Sequence, residues 1–234
     1  MNINLKAKPF YLTDKQIDWV NETLASMTED DKLRHLFCLV AYNDDDEYCR
    51  YIARDVRPGG FMSRVMSAEQ CISTVKKMQH YAKIPMLVAA NLEAGGNGMA
   101  KEGTLLGKPM QIAATADPEF ARRLGEVCGV EGSAVGANWS FAPIVDIDRN
   151  WRSPVTNVRT FGSDPELIEK MGTAYVGELQ RHALRSALST SPATDATKEI
   201  STLPSPSTPS PARNGTPPTE KSIRQASMRV LKPL

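Results

Sequence analysis

The chain has 234 residues, 28 basic and 27 acidic side chains for a formal net charge of +1, and 41% hydrophobic residues. A balance that near zero offers no footing for nucleic acid or an anionic membrane surface. No run approaches the ~18–20 continuous apolar residues of a membrane span.

The opening segment, MNINLKAKPFYLTDKQ, lacks the apolar core of a secretory signal. Cys38, Cys49, Cys71 and Cys128 are widely spaced, with no CxxC and no histidine at ligand spacing. These features predict a cytoplasmic protein with reduced thiols and no structural metal. Thr13-Asp14 caps a helix that runs to Met27 with Ile17, Val20 and Leu24 on one stripe. Thr28 starts a short second helix, whose apolar face of Leu33, Leu36 and Phe37 leads into a strand over Phe37–Ala41. Asp44–Asp55 reads as a charged helix. Arg57-Pro58-Gly59-Gly60 turns into a short strand at Gly60–Met62. Ser67 caps an amphipathic helix to Lys83 that turns Cys71, Val75 and Met78 inward.

Ile84–Ala90 is apolar at every position after Pro85, the pattern of a parallel strand covered on both faces. It ends in Asn91-Leu92-Glu93-Ala94-Gly95-Gly96-Asn97-Gly98. That glycine run does not open a helix directly, as a dinucleotide fingerprint must, since the loop-like Lys101-Glu102-Gly103-Thr104 follows. Asp117–Gly136 is the next helix, with Pro118 in its first turn. A strand over Trp139–Pro143 follows, closing on Asp146 and Asp148. The loop beyond carries Arg149, Arg152 and Arg159. Ser163 caps a helix over Asp164–Arg181, and Ala183–Ala187 comes after it. Strands alternating with helices predict βαβ units and a parallel sheet. A carboxylate at the C-terminal end of such a strand is where α/β barrels build ligand sites. Trp139 and Phe141 read as core. Asp146 and Asp148 have no third ligand at metal spacing.

Several motifs, in order, carry a resemblance. FAPIVDIDRN and NVRTFGSDPE, with MTEDDKLRHLF and the Pro-Gly-Gly strand before them, closely resemble the N-terminal barrel domain of glycoside hydrolase family 3. The resemblance spans Thr13 to about Ala187. It implies an incomplete TIM (β/α)8 barrel of about four βα units over residues 1–187. It implies hydrolysis of terminal β-linked sugars without a cofactor, of the β-N-acetylhexosaminidase type, with β-glucosidase or a non-catalytic sugar-binding protein as alternatives. Arg159 matches the family's arginine that contacts sugar; a structural ion pair with Asp146 or Asp148 is compatible with that. Asn91 stands where many members have an aspartate, which exchanges a charge-assisted bond to a sugar hydroxyl for a neutral one. Glu93 matches the next acidic position, as a ligand contact or a structural partner. Asn91, Glu93, Asp146 and Arg159 are therefore expected to converge at the C-terminal ends of neighbouring strands.

Beyond Ala187 the composition changes. Half of the 16 prolines lie there, Ser and Thr dominate, and Phe, Trp and Tyr are absent. Residues 188–234 read as a disordered tail. Ser189–Thr202 also admits a reverse translation that, read one base earlier, gives KHFPGDGCDERDQH, the family's next strand motif and its continuation. A change of frame near Ala187–Leu188 is expected on that ground. The nucleophilic aspartate on a late strand and the acid/base group, which the resemblance implies, then have no counterpart in this chain, so no catalytic residue is assigned.

Overall fold

The computed structural model describes residues 3–8, 10–153, 155–182 and 184–188. The tail from Ser189, and with it the shifted reading of that segment, lies outside the described residues.

Two surface helices come first, α1 (Asp14–Ser26) and α2 (Glu29–Arg34). Thr13 and Thr28 cap them, each accepting a hydrogen bond from the amide three residues on, with Gln16 and Asp31 bonding back to the cap. Neither helix buries a residue fully. Parallel strands then alternate with helices: β1 (Cys38–Ala41), α3 (Asp46–Arg50), β2 (Gly60–Ser63), α4 (Ala68–Tyr81), β3 (Leu87–Ala90), α5 (Pro109–Ala113), α6 (Pro118–Ala134), β4 (Trp139–Ser140), α7 (Pro165–Arg181) and β5 (Arg185–Ser186). The five strands form one sheet in chain order, and every neighbouring pair is parallel.

Register divides the sheet into two faces. Phe61 pairs with Val88 on the face that the helices cover, where both are buried with Met78, Leu124, Met171 and Leu179. Val40, Met62, Ala89 and Trp139 stand level with one another on the opposite face. Apart from buried Ala89 they are only half-buried. This is the inner and outer surface division of a barrel sheet, with the helices outside.

Several sequence expectations are corrected. The cap of α7 is Asp164, not Ser163: Pro165 is the first helical residue, and the Asp164 carboxylate accepts from the Glu166 amide. The helix expected over Asp44–Asp55 holds α-geometry only to Arg50 and continues as a π-turn over Tyr51–Val56, ending at Arg57 with φ 59°. The strand expected over Trp139–Pro143 is shorter, Trp139–Ser140; the Phe141 amide still donates to the Ala90 carbonyl, and the chain has left the ladder before Pro143. The apolar face of Leu33, Leu36 and Phe37 is exposed, since β1 is an edge strand with no strand on its far side among the described residues.

Candidate functional site

The site lies at the C-terminal end of β3 and in the loop that follows β4. Beyond Ala90 the chain leaves the sheet, and strand alternation carries Asn91 to the side of Ala89 and Leu92 to the helix side. The Leu92 side chain is fully buried and Asn91 is exposed. Glu93 follows, 9% exposed. The next turn depends on glycine: Gly95 has φ 140°, and a Cβ there would sit 1.9 Å from the Thr104 carbonyl oxygen. The long connection is pinned at Thr104, whose amide and hydroxyl donate to Glu131 of α6 at 2.7 and 2.6 Å. The glycine run thus serves close chain packing.

After β4, Ile144 pairs with Thr160 and the Asp148 amide donates to the Gly162 carbonyl, so the loop returns beside its own start. Its centre is organised by buried Ser153, whose hydroxyl accepts from the amides of Val155 and Thr156. The three-ten turn Asn157–Arg159 then brings Arg159 over β3. The Arg159 guanidinium donates from Nε and Nη2 to the two Glu93 oxygens at 2.9 and 2.6 Å, a bidentate ion pair, and from Nη1 to the Val155 carbonyl at 3.2 Å. Its side chain stays 40% exposed against 10% for Glu93. The bond to Glu93 holds the Arg159 pKa above its ordinary value, with buried Asp146 adding to the same field.

Glu93 and Arg159 are thus in contact, with Asp146 within electrostatic reach and Asn91 two residues before Glu93 on the exposed strand end. The ion pair held open as an alternative for Arg159 is made with Glu93, and Asp146 acts on it through the field. One carboxylate oxygen of Asp148 is buried without a hydrogen-bond partner among the described residues. Among the described residues no group of three or more His, Cys, Asp or Glu is placed to hold a metal ion, and no helix is long and apolar enough to cross a membrane. Trp139 and Phe141 meet edge to face, with ring centroids 4.5 Å apart, and are half-buried. Ser153 was not singled out in the sequence; a Ser two and three residues ahead of the amides it caps is the local signal that marks it. A separate cavity, lined by Asp31, His35, Arg57 and Lys83, lies beside Pro58 and Ile84 at the N-terminal ends of β2 and β3. Barrel enzymes do not place their chemistry at that end.

Chemically, the arrangement offers both hydrogen-bond donors and acceptors. It presents a partly exposed guanidinium edge, an exposed amide and buried carboxylates at the carboxyl end of a parallel sheet.

Comparison with known proteins places this geometry in context. Residues 53–214 match the model of the glycosyl hydrolase family 3 N-terminal domain. A beta-N-acetylglucosaminidase/beta-glucosidase of Cellulomonas fimi is 45% identical over 185 residues, which is 79% of this chain and 33% of that protein. Beta-hexosaminidase A of Pseudoalteromonas piscicida is 30% identical over 138 residues, 55% of this chain and 23% of its own. Among solved structures, a beta-glucoside phosphorylase, BglX, bound to 2FGlc superposes with a TM-score of 0.73 at 42% identity, covering 80% of this chain and 34% of that one. The chain therefore spans about a third of the length of the first of these relatives and of that structure.

Proposed function

This chain belongs to glycosyl hydrolase family 3, and we propose that it carries the sugar-binding part of a β-glycosidase of the β-N-acetylhexosaminidase type, built on the first strands of a (β/α)8 barrel. The observation that carries this reading is the bidentate Arg159–Glu93 pair at the carboxyl end of β3. The pair fixes the guanidinium plane and leaves an outer edge to donate to adjacent sugar hydroxyls. Asn91 adds an acceptor and a donor beside it, and Asp146 supplies negative potential. The names of the Cellulomonas fimi and Pseudoalteromonas piscicida relatives support an N-acetylated β-linked sugar as the substrate class. Cleavage with retention needs a nucleophilic carboxylate and a second acid/base group across the scissile bond. In our reading Asn91, Glu93, Asp146 and Arg159 bind and orient the sugar, and neither cleaving group lies within residues 1–187.

Titration calorimetry of the purified chain tests this. We expect N-acetylglucosamine to bind in preference to glucose, binding to be lost in Arg159→Ala, and no nitrophenol to be released from nitrophenyl N-acetyl-β-glucosaminide. Absence of sugar binding would overturn the site. Robust hydrolysis, with host enzymes excluded, would overturn the inactivity.

A second reading, phosphorolysis of β-glucosides, is favoured by the 42% identity to the solved phosphorylase. It predicts that glucose binds better than N-acetylglucosamine. Nitrophenol release that depended on added inorganic phosphate would select it.

A further inference from the structure

Leu92 lies between Asn91 and Glu93, and its backbone carbonyl points away from both, into the helix layer. Two side chains from two different helices converge on that one oxygen. The Tyr175 hydroxyl of α7 donates at 2.6 Å, and the Cys128 thiol of α6 at 3.1 Å. Tyr175 is 1% exposed, and Cys128 and Leu92 are fully buried. This carbonyl belongs to no strand ladder, so without these donors it would be an unpaired acceptor in the core. Its peptide plane also sets where the next Cα–Cβ bond points, and that bond belongs to Glu93. A bidentate carboxylate–guanidinium pair needs the two planes aligned, within about 10–20°.

We propose that Tyr175, seconded by Cys128, is a positioning residue: its hydroxyl locks the Leu92 carbonyl and so aims Glu93 at Arg159, holding the guanidinium at the angle that receives sugar. The sugar part of this inference rests on the function proposed above; the positioning part does not. A buried tyrosine hydroxyl generally finds some partner. Here the hydroxyl also neighbours Cys128 and Ser140, but the acceptor it donates to is the carbonyl flanked by the two strand-end candidates, which is reached from two helices at once. The ring alone would fill the same space, so the hydroxyl's contribution is separable from packing.

The test uses the full chain without ligand. The Arg159 Nε–H resonance, assigned by its loss in Arg159→Lys, reports the bond to Glu93. In Tyr175→Phe, which keeps the ring, we expect this resonance to move toward the value of free arginine and its exchange with solvent to speed up about tenfold, the effect of losing one hydrogen bond. Met171→Ala, one turn earlier on the same buried face of α7, should destabilise the fold and leave the resonance in place. Should Tyr175→Phe fail to fold, Cys128→Ala reads the second donor, with a smaller shift in the same direction and recovery in Cys128→Ser. An unmoved resonance in a folded Tyr175→Phe protein overturns the proposal, as does an equal shift in Met171→Ala. N-acetylglucosamine affinity is measured in parallel, and Tyr175→Phe should lower it about tenfold by the same loss. If the wild-type chain binds no sugar while the resonance still moves, the functional reading fails and the positioning role stands.

Discussion

Arg159 is engaged from all three of its nitrogens, two toward Glu93 and one toward the Val155 carbonyl. Lysine could not replace it, since an ammonium offers no planar fork to span both carboxylate oxygens. At the same scale, the four cysteines differ in what surrounds them. Burial holds the Cys49 thiol up to about 11 and Cys128 up to about 12, and it raises Cys71 as well. Burial raises the Cys38 thiol too, but Cys38 is only half-buried, on the edge strand β1, while the other three are buried out of a reagent's reach. The nucleophile in thiol exchange is the thiolate. With all four thiols raised, access sets the order: at pH 8 the native chain should react with Ellman's reagent first at Cys38, while Cys49, Cys71 and Cys128 react only after denaturant is added. Prompt reaction of Cys128 would show that α6 opens freely.

At the scale of elements, α6 and α7 form the packed pair behind the site. Gly125 makes the close approach possible: a Cβ there would stand 2.4 Å from the Tyr175 carbonyl oxygen, which is backbone and cannot swing aside. Gly125→Ala should cost about 1–3 kcal/mol by overpacking, read as a lower urea midpoint, even though alanine favours a helix. On the outer surface Arg122 of α6 bridges Glu119, Glu126 and Glu178 of α7. The Arg122 and Arg123 hydrogen bonds pull the Glu119 carboxyl down to about 2. Its folded pKa lies below its unfolded one, so the stability it adds is complete above about pH 4.5 and is lost as pH falls toward about 2. The pair is exposed and the effect is small. The melting-temperature difference between wild type and Glu119→Gln should be constant from pH 7 to about pH 5 and disappear near pH 2. A difference that instead grew on acidification would have the wrong sign for this pairing.

The whole molecule is governed by its open sheet. The order β1-β2-β3-β4-β5 leaves one edge of β1 and one of β5 without a strand neighbour among the described residues. Leu36, Phe37 and Leu87 stand 81%, 62% and 47% exposed beside the half-buried Val40, Met62 and Trp139. Unpaired edges beside apolar surface recruit other chains. The purified chain should therefore self-associate with rising concentration in sedimentation velocity and bind a hydrophobic dye. Phe37→Lys, on a side chain that packs against little, should reduce both. A monodisperse monomer with a sharp cooperative melt would show that the edges are protected and that the domain is self-sufficient.

Part of this was legible in the sequence because its causes are local. Thr13, Thr28, Ser67 and Asp117 mark helix starts, since a capping oxygen and the amide it accepts from lie within three residues of each other. The continuous apolar run ending at Ala90 marked a parallel strand, because a strand covered on both faces has no polar alternation. The order of motifs around Asn91, Glu93, Asp146 and Arg159 nominated the candidate site region. Tertiary structure decided the rest. Glu93 and Arg159 are 66 residues apart, and Leu92 and Tyr175 are 83 apart. Which donor meets which acceptor across such distances is set by how the βα crossovers stack, and no spacing in the chain encodes it. That is why the ion-pair alternative for Arg159 named Asp146 or Asp148, carboxylates near it in sequence, when the fold delivers it to Glu93. The exposure of Leu36 and Phe37 has the same origin: an apolar residue registers in sequence as a candidate for burial, but burial needs a neighbour, and at the edge of β1 the described residues supply no strand to cover them.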